Sequence, residues 1–208
     1  MIQNIVFDMG RVLIHYQPPE YVKPFVKEEA DQRLLLNAIF DAPDWPDNDR
    51  GTVTYEEFLE RIRSRTPERL YHAAEQVWKN WILYLTPIPE TNQLAMELKR
   101  CGYRLFLLSN VSTRYYEFRK TIMAIDNFDG EFLSAEVHRI KPDPEIYRLF
   151  FQRFALNPEE CFFIDDNPDN IEAARKLGMP GFCYGQDIAE LRRALADAGI
   201  RVKTESGK

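Results

Sequence analysis

Cysteine is scarce in this chain, with three in 208 residues, at positions 101, 161 and 183. No two are spaced C-x-x-C, so nothing suggests a zinc site or a redox pair. Each lies beside or within an apolar run, and all three are read as buried, reduced thiols. No apolar run approaches the roughly 18 residues of a membrane span. Positive charge is also short: 27 Lys and Arg stand against 33 Asp and Glu, a net charge of −6. Such a balance gives no general pull toward nucleic acid. Internal repeats and low-complexity segments are absent, and Gly and Pro are scattered. The first strand-like run begins a few residues after Met1, which leaves no room for a signal peptide and makes the cytoplasm the expected compartment. Hydrophobic residues make up 45% of the chain, enough for a substantial core and for one domain plus an insertion.

Four short segments end in chemistry. NIVFDMG (4–10), RLFLLSN (104–110) and CFFIDDNPDN (161–170) are apolar runs that stop at Asp8, at Ser109-Asn110 and at Asp165-Asp166. KPDPEIY (141–147) sets Lys141 before a proline and an acidic turn. A short apolar run bounded by polar residues suits a strand buried on both faces of a parallel sheet. Ligands of such sheets bind at the carboxyl ends of the strands. Taken singly, each of these residues is an ordinary turn, cap or loop residue. Together they propose one site gathered from distant parts of the chain. Carboxylates are hard ligands that suit Mg²⁺, and a lysine with a hydroxyl suits phosphate oxygens. A carboxylate can also attack phosphorus, and phosphoryl transfer needs mostly positioning and charge neutralisation. The adjacent pair at 165–166 repels itself unless a cation stands between the two groups.

The residues, their order and their spacing resemble the haloacid dehalogenase-like hydrolase superfamily. Asp8 in FDMGRVLI matches its first motif, Ser109-Asn110 in LFLLSN the second, Lys141 in IKPDPEIY the third, and FIDDNPDNIEAARKLGM the fourth. The resemblance covers roughly residues 1–15 and 95–190, and four motifs in order are far more specific than any one. It implies a three-layer Rossmann-like α/β core with a parallel sheet (residues 1–16 and 88–208) and an inserted α-helical cap (17–87). It implies Asp8 as nucleophile and metal ligand, the Gly10 carbonyl and Asp166 as further ligands, and Asp165 and Asn170 in support. Ser109, Asn110 and Lys141 would bind or orient phosphate, with Lys141 also pairing to Asp8. The implied cofactor is Mg²⁺ and the implied substrate a small phosphorylated metabolite.

One departure matters. Most phosphatases of the superfamily carry a second Asp two residues after the nucleophile, as general acid and base, and here that residue is Gly10. The carbonyl survives the change but the proton donor does not, and such a donor is typically worth about 10²–10⁴-fold. Good leaving groups, such as the anomeric oxygen of a sugar 1-phosphate or an acyl phosphate, would then be favoured. A subgroup with this Gly, including bacterial phosphatases of glucose 1-phosphate, is similar in its first and fourth motifs. Two alternatives follow from the same residue: a metal-independent 2-haloacid dehalogenase, and a phosphate-binding or regulatory module with weak catalysis. His15 is either a replacement acid–base group or an ordinary linker residue. Arg11 either reaches the site mouth or lies along the cap hinge.

Asp8 and Ser109 lie about 100 residues apart, where one βα unit needs about 30. The intervening stretch reads as helical. PPEYVKPFVKEEADQRLLLNAIF gives one or two helices broken near Pro24. Thr54 and Glu57 form a capping-box pattern ahead of Tyr55, Phe58, Leu59 and Ile62 at helical spacing. TPERLYHAAEQVWKNWILYL follows as a helix, with Trp78, Trp81 and Tyr84 as its core aromatics. The polar loop APDWPDNDRGT, with Trp45, Asp49 and Arg50, either faces the site and chooses the substrate or lies on the surface. Past Pro87 and Pro89 the pattern alternates: a helix to Gly102, the 104–110 strand, a helix over STRYYEFRKTIMAI, a strand at FDGEFLS, and a helix from Asp143. The CFFIDD strand, a helix to Gly178, a short strand at GFCYG and a last helix follow, before a frayed KTESGK tail.

Overall fold

The computed structural model describes residues 1–202, so the KTESGK tail lies outside the described residues. The strands are β1 (Asn4–Phe7), β2 (Ile14–His15), β3 (Thr86–Pro87), β4 (Arg104–Ser109), β5 (Gly130–Leu133), β6 (Cys161–Asp165) and β7 (Gly181–Cys183). The helices are α1 (Pro18–Val22), α2 (Glu29–Ile39), α3 (Trp45–Asp49), α4 (Tyr55–Arg65), α5 (Tyr71–Asn80), α6 (Pro89–Arg100), α7 (Tyr115–Phe118), α8 (Ser134–Val137), α9 (Pro144–Phe154), α10 (Pro168–Lys176) and α11 (Ile188–Asp197). Five strands form one parallel sheet in the order β5-β4-β1-β6-β7.

The strands are apolar throughout because both sheet faces are covered. Ile5, Phe7, Leu105, Leu107, Phe162 and Ile164 pack on one face with Leu94 and Leu98 of α6 and Leu191 and Leu195 of α11. Val6, Phe106, Leu108 and Phe163 alternate to the other, against Ile146, Tyr147 and Phe150 of α9 and Ile171 of α10. This is a three-layer α/β fold. Register sets Phe7 beside both Leu107 and Ile164. Asp8 and Asp165, one residue on, and Ser109, two residues on, therefore reach the same sheet edge.

Helices α1 to α5 leave the core after β2 and return at β3. These two strands pair antiparallel, Ile14 with Pro87 and His15 with Thr86. Buried Thr91 and Asn92 of α6 bind the carbonyls of Val12 and Leu13, the latter at 2.7 Å, and so fix the turn after β1. The capping box forms in both directions, Thr54 N–H to Glu57 Oε2 at 2.8 Å and Glu57 N–H to Thr54 Oγ1 at 3.1 Å. Arg114 of the core donates to the carbonyls of Trp78 and Lys79 at 2.6 and 2.8 Å and lies over the Tyr55, Trp78 and Trp81 rings. Among the described residues no helix is long and apolar enough to cross a membrane.

Several local expectations need correction. Of the three cysteines only Cys161 is buried; Cys183 is exposed and Cys101 intermediate. Cys183 ends β7, a three-residue strand at the edge of the sheet whose residues are only partly buried. The helix over 67–85 stops at Asn80 and continues as a 3-10 turn, Trp81–Tyr84, so Trp78 and Trp81 are buried but Tyr84 is 39% exposed. The 112–125 stretch holds one four-residue helix with 3-10 turns at Arg119–Thr121 and Ile125–Asn127 rather than a continuous helix.

Candidate active site

At the carboxyl edge of the sheet Asp8, Ser109, Asn110, Lys141, Asp166 and Asn170 line one cavity of about 260 Å³. Lys141 stands just before α9 and is buried. Its Nζ donates to Asp8 Oδ1 at 2.7 Å, to Asp165 Oδ2 at 2.7 Å and to the Leu108 carbonyl at 2.9 Å. An ammonium has three N–H donors, so all are committed. Asn110 positions this lysine: its Nδ2 donates to the Lys141 carbonyl at 2.9 Å and its Oδ1 accepts the Lys141 N–H at 2.7 Å. The side-chain amide of Asn110 is thereby taken, which limits what it can offer a phosphate to its backbone N–H.

The acidic residues separate by their partners. Asp165 is fully buried and engaged on both oxygens, Oδ1 by the Asn167 N–H and Asn170 Nδ2, Oδ2 by Lys141 and Asn170 Nδ2. Asp166 bears only a 3.7 Å ion pair to Arg11, which is half exposed. Arg11 thus reaches the mouth of the site, on a left-handed backbone of φ 57°. Burial first, then the charge of Asp165, raises Asp8 from the ordinary carboxylate range to about 7, against the pull of Lys141. Burial and Asp165 also raise Asp166, opposed by Arg11 and Lys141. Burial lowers the Lys141 ammonium, but the two carboxylates outweigh it and hold it above its ordinary value.

This donor set fits a divalent cation. Asp8, Asp165 and Asp166 can each bring an oxygen within 4.8 Å of the others. Among the described residues Lys141 is the one buried cation at the three carboxylates, and the half-exposed Arg11 pairs loosely with Asp166, so negative charge is in excess. Asn170 Oδ1 is buried and has no partner, while its amide nitrogen holds Asp165. A buried orphan acceptor is costly, and a metal-bound water would satisfy it. Oxygen-only ligands with few carboxylates suit Mg²⁺.

The opposite wall comes from the helical segment between β2 and β3 and the residues that join it to the core: Tyr16, Trp45, Asn48, Asp49, Trp81 and Leu85. The loop that sequence left open thus divides. Trp45 and Asp49 face the cavity, whereas Arg50 turns its guanidinium to Asp47 at 3.3 Å. Trp81 lines the cavity with its ring, and its Nε1 is buried without a partner among the described residues. His15 does not join them; it lines a separate hollow with Ile88, Glu90, Tyr184, Gln186 and Ile188. Sequence reasoning missed Tyr16 altogether, since a linker tyrosine carries no motif.

A family model for haloacid dehalogenase-like hydrolases matches residues 2–178, and the chain belongs to that family. It is 25% identical over 190 residues to a D-ribitol-5-phosphate phosphatase of Bacteroides thetaiotaomicron, spanning 88% of this chain and 91% of the relative. Flavin mononucleotide hydrolase 1 of Arabidopsis thaliana is 38% identical over 158 residues, 76% of this chain and 63% of that protein. A crystal structure of a family enzyme from Bacteroides thetaiotaomicron, in complex with magnesium and inorganic phosphate, superposes with a TM-score of 0.70 at 28% identity, covering 92% of this chain and 99% of that one.

Proposed function

We propose that this protein is a Mg²⁺-dependent phosphatase of a small phosphorylated metabolite, working through an aspartyl-phosphate on Asp8. The observation that carries the reading is the Lys141 ammonium, 2.7 Å from both Asp8 and Asp165, in a cavity where Asp166 stays open. Relatives named as phosphatases, and a related structure holding magnesium and phosphate, support it. In this reading residues 1–16 and 88–208 are the core and 17–87 the cap.

Lys141 holds one Asp8 oxygen and leaves the other for phosphorus. The Ser109 hydroxyl and the Asn110 N–H receive phosphate oxygens, and Lys141 adds charge. Asp8, the Gly10 carbonyl and Asp166 would hold Mg²⁺, with Asp165 and Asn170 in support; when bound it neutralises charge on the transferring group. Attack by Asp8 breaks the ester P–O bond and releases the alcohol. Water then attacks phosphorus, releases phosphate and restores Asp8. The cap shields both steps from other water. Three free cysteines suit a reducing compartment such as the cytoplasm.

The cap wall favours an uncharged leaving group. Among the described residues it offers aromatic faces and one carboxyl group, Asp49, but no Lys or Arg. A sugar 1-phosphate fits, with its ring against the tryptophans and an anomeric oxygen that departs without a strong acid. A 2-haloacid would bring its carboxylate toward Asp49, which weighs against the dehalogenase reading. The test is phosphate release, with Mg²⁺ and in chelator, from sugar 1-phosphates, their 6-phosphates and an acyl phosphate. Release should need Mg²⁺ and vanish in Asp8→Asn while the circular dichroism spectrum is unchanged. Turnover by Asp8→Asn, or full activity on 2-haloacids in chelator, would sink the reading. Phosphate binding without turnover of any substrate would favour the regulatory module.

A further inference from the structure

Gly10 removes the usual proton donor, yet nothing in its surroundings requires glycine. A Cβ at position 10 would meet only Tyr16 Cβ, at 3.8 Å, an ordinary contact, and the backbone there is not left-handed. Neither backbone strain nor a clash at Cβ therefore requires glycine at this position. Across the cavity from the sheet edge stands one carboxyl group of the cap, Asp49.

The backbone carrying Asp49 is fastened to the core. Ser134 Oγ donates to the Asp49 carbonyl at 2.5 Å and accepts the Val111 N–H at 2.8 Å. Its hydroxyl thus ties the cap to the loop that follows Ser109-Asn110. Gly51 has φ 64°, and a Cβ there would lie 2.8 Å from the Ala135 carbonyl and 2.9 Å from its Cβ. The close approach of this loop to α8 depends on that glycine. His138 Nδ1 lies 2.8 Å from the Arg50 carbonyl and adds a third tie. From behind, the Trp45 ring packs against Phe40, Phe58, Trp78 and Trp81 at centroid distances of 5.3 to 6.3 Å. Asp49 is thus held by fixed partners in the same cavity as the nucleophile.

We infer that Asp49 is the proton donor and acceptor at the leaving oxygen, the task that Gly10 leaves open; the inference rests on the phosphatase reading above. As Asp8 attacks phosphorus, the ester P–O bond breaks, its electron pair stays on the leaving oxygen, and the Asp49 carboxyl gives that oxygen its proton. In the second half the Asp49 carboxylate takes a proton from the attacking water, the Asp8 oxygen–phosphorus bond breaks, and phosphate leaves. Both carboxyl groups return to their starting states.

The surroundings suit this role. Burial, then the charge of Asp8, raises the Asp49 carboxyl to about 7, against hydrogen bonds from the Trp45 and Asn48 side chains and the charge of Arg50. Tyr16 faces it from the linker, and Asp49 helps to raise that phenol. The remaining charged groups of the cavity, Arg11, Lys141 and Asp166, are paired among the core carboxylates. A carboxyl that exchanges its proton near neutrality is what general acid and base work needs.

The experiment compares phenyl phosphate, whose leaving oxygen needs protonation, with p-nitrophenyl phosphate, whose oxygen does not, in wild type and Asp49→Asn with Mg²⁺. We expect kcat on phenyl phosphate to fall about 10²–10⁴-fold in the variant and on p-nitrophenyl phosphate by less than about tenfold. The wild-type decline in rate on phenyl phosphate above about pH 7 should flatten in the variant, since the acid form of Asp49 is the active one. An equal loss on both substrates, or none on either, would overturn the inference and leave Asp49 a positioning or specificity residue. Silence of the wild type on both, and on the sugar and acyl phosphates as well, would instead overturn the phosphatase reading.

Discussion

Lys141→Met removes one ammonium and keeps most of the side chain's length, so it isolates charge from packing. In the wild type that ammonium is buried and bonded to Asp8, Asp165 and the Leu108 carbonyl, with the Phe163 ring 5.3 Å away. Methionine can still rest on Phe163. What it leaves behind is a pair of carboxylates, Asp8 and Asp165, without the buried ammonium that bridged them. Breaking a buried ion pair by removing one partner typically costs about 3–5 kcal/mol. For a domain of this size each kcal/mol moves Tm by about 2–4 °C, so the expected fall is roughly 6–20 °C. The pH dependence supplies the check. Asp8 is already raised to about 7, so its burial costs nothing below the unfolded value near 4 and an increasing amount as pH rises through 7. Loss of Lys141 raises it further and deepens that cost. The gap between variant and wild type should therefore be small at pH 4 and widest at pH 8, measured by thermal unfolding in chelator. Mg²⁺ should narrow it at pH 8, because a cation replaces part of the lost charge. A gap of equal size at both pH values, unmoved by Mg²⁺, would mean that Lys141 acts through packing, and the charge account of the site would be wrong.

Other changes probe the remaining parts. Gly10→Asp, introduced beside Asp49→Asn, should fold, since its Cβ meets only Tyr16 at 3.8 Å, and should return about 10²-fold in kcat on phenyl phosphate; no return would mean that a carboxyl at position 10 cannot reach the leaving oxygen. Gly51→Ala must place a Cβ 2.8 Å from the Ala135 carbonyl on a left-handed backbone. It should cost about 1–3 kcal/mol and raise KM as the Asp49 loop lifts from the core; unchanged kinetics and Tm together would show that the loop does not depend on this approach.

The core was legible because its signals are local. A buried parallel strand reads as an apolar run, and its end is marked by the first polar residue, so Asp8, Ser109 and Asp165 could be found one by one and assembled through the sheet. The Thr54–Glu57 box is equally local and forms as read. The cap wall was not legible in the same way. Whether Asp49 or Arg50 faces the cavity is decided by Ser134 and Ala135, some 85 residues further on. No pattern within the 42–52 loop encodes that. The roles inside the acidic group were also hidden, because the engagement of Asp165 and the orphan Oδ1 of Asn170 emerge only when Lys141 arrives from another loop. Cys183 was misread for a related reason: GFCYG looks like a buried strand, and only its place at the sheet edge exposes it.

Placing the acid on the cap has a consequence that an acid at position 10 would not have. A carboxyl two residues after the nucleophile is present whether the cap is open or shut. Asp49 sits on a loop that is tied to the core by the Ser134 bond to its own carbonyl and by the close approach of Gly51 to Ala135. Closure and proton donation then become one event. On the phosphatase reading, an open enzyme would keep Asp8 but lack the group proposed to protonate the leaving oxygen or deprotonate water, so an aspartyl-phosphate exposed to solvent would hydrolyse slowly. The same arrangement gives the cap two tasks at one residue: Asp49 must fit the substrate's leaving group and exchange a proton with it. A substrate that does not let the loop close would then lose rate as well as affinity, which is how a site of few polar contacts can discriminate among phosphate esters.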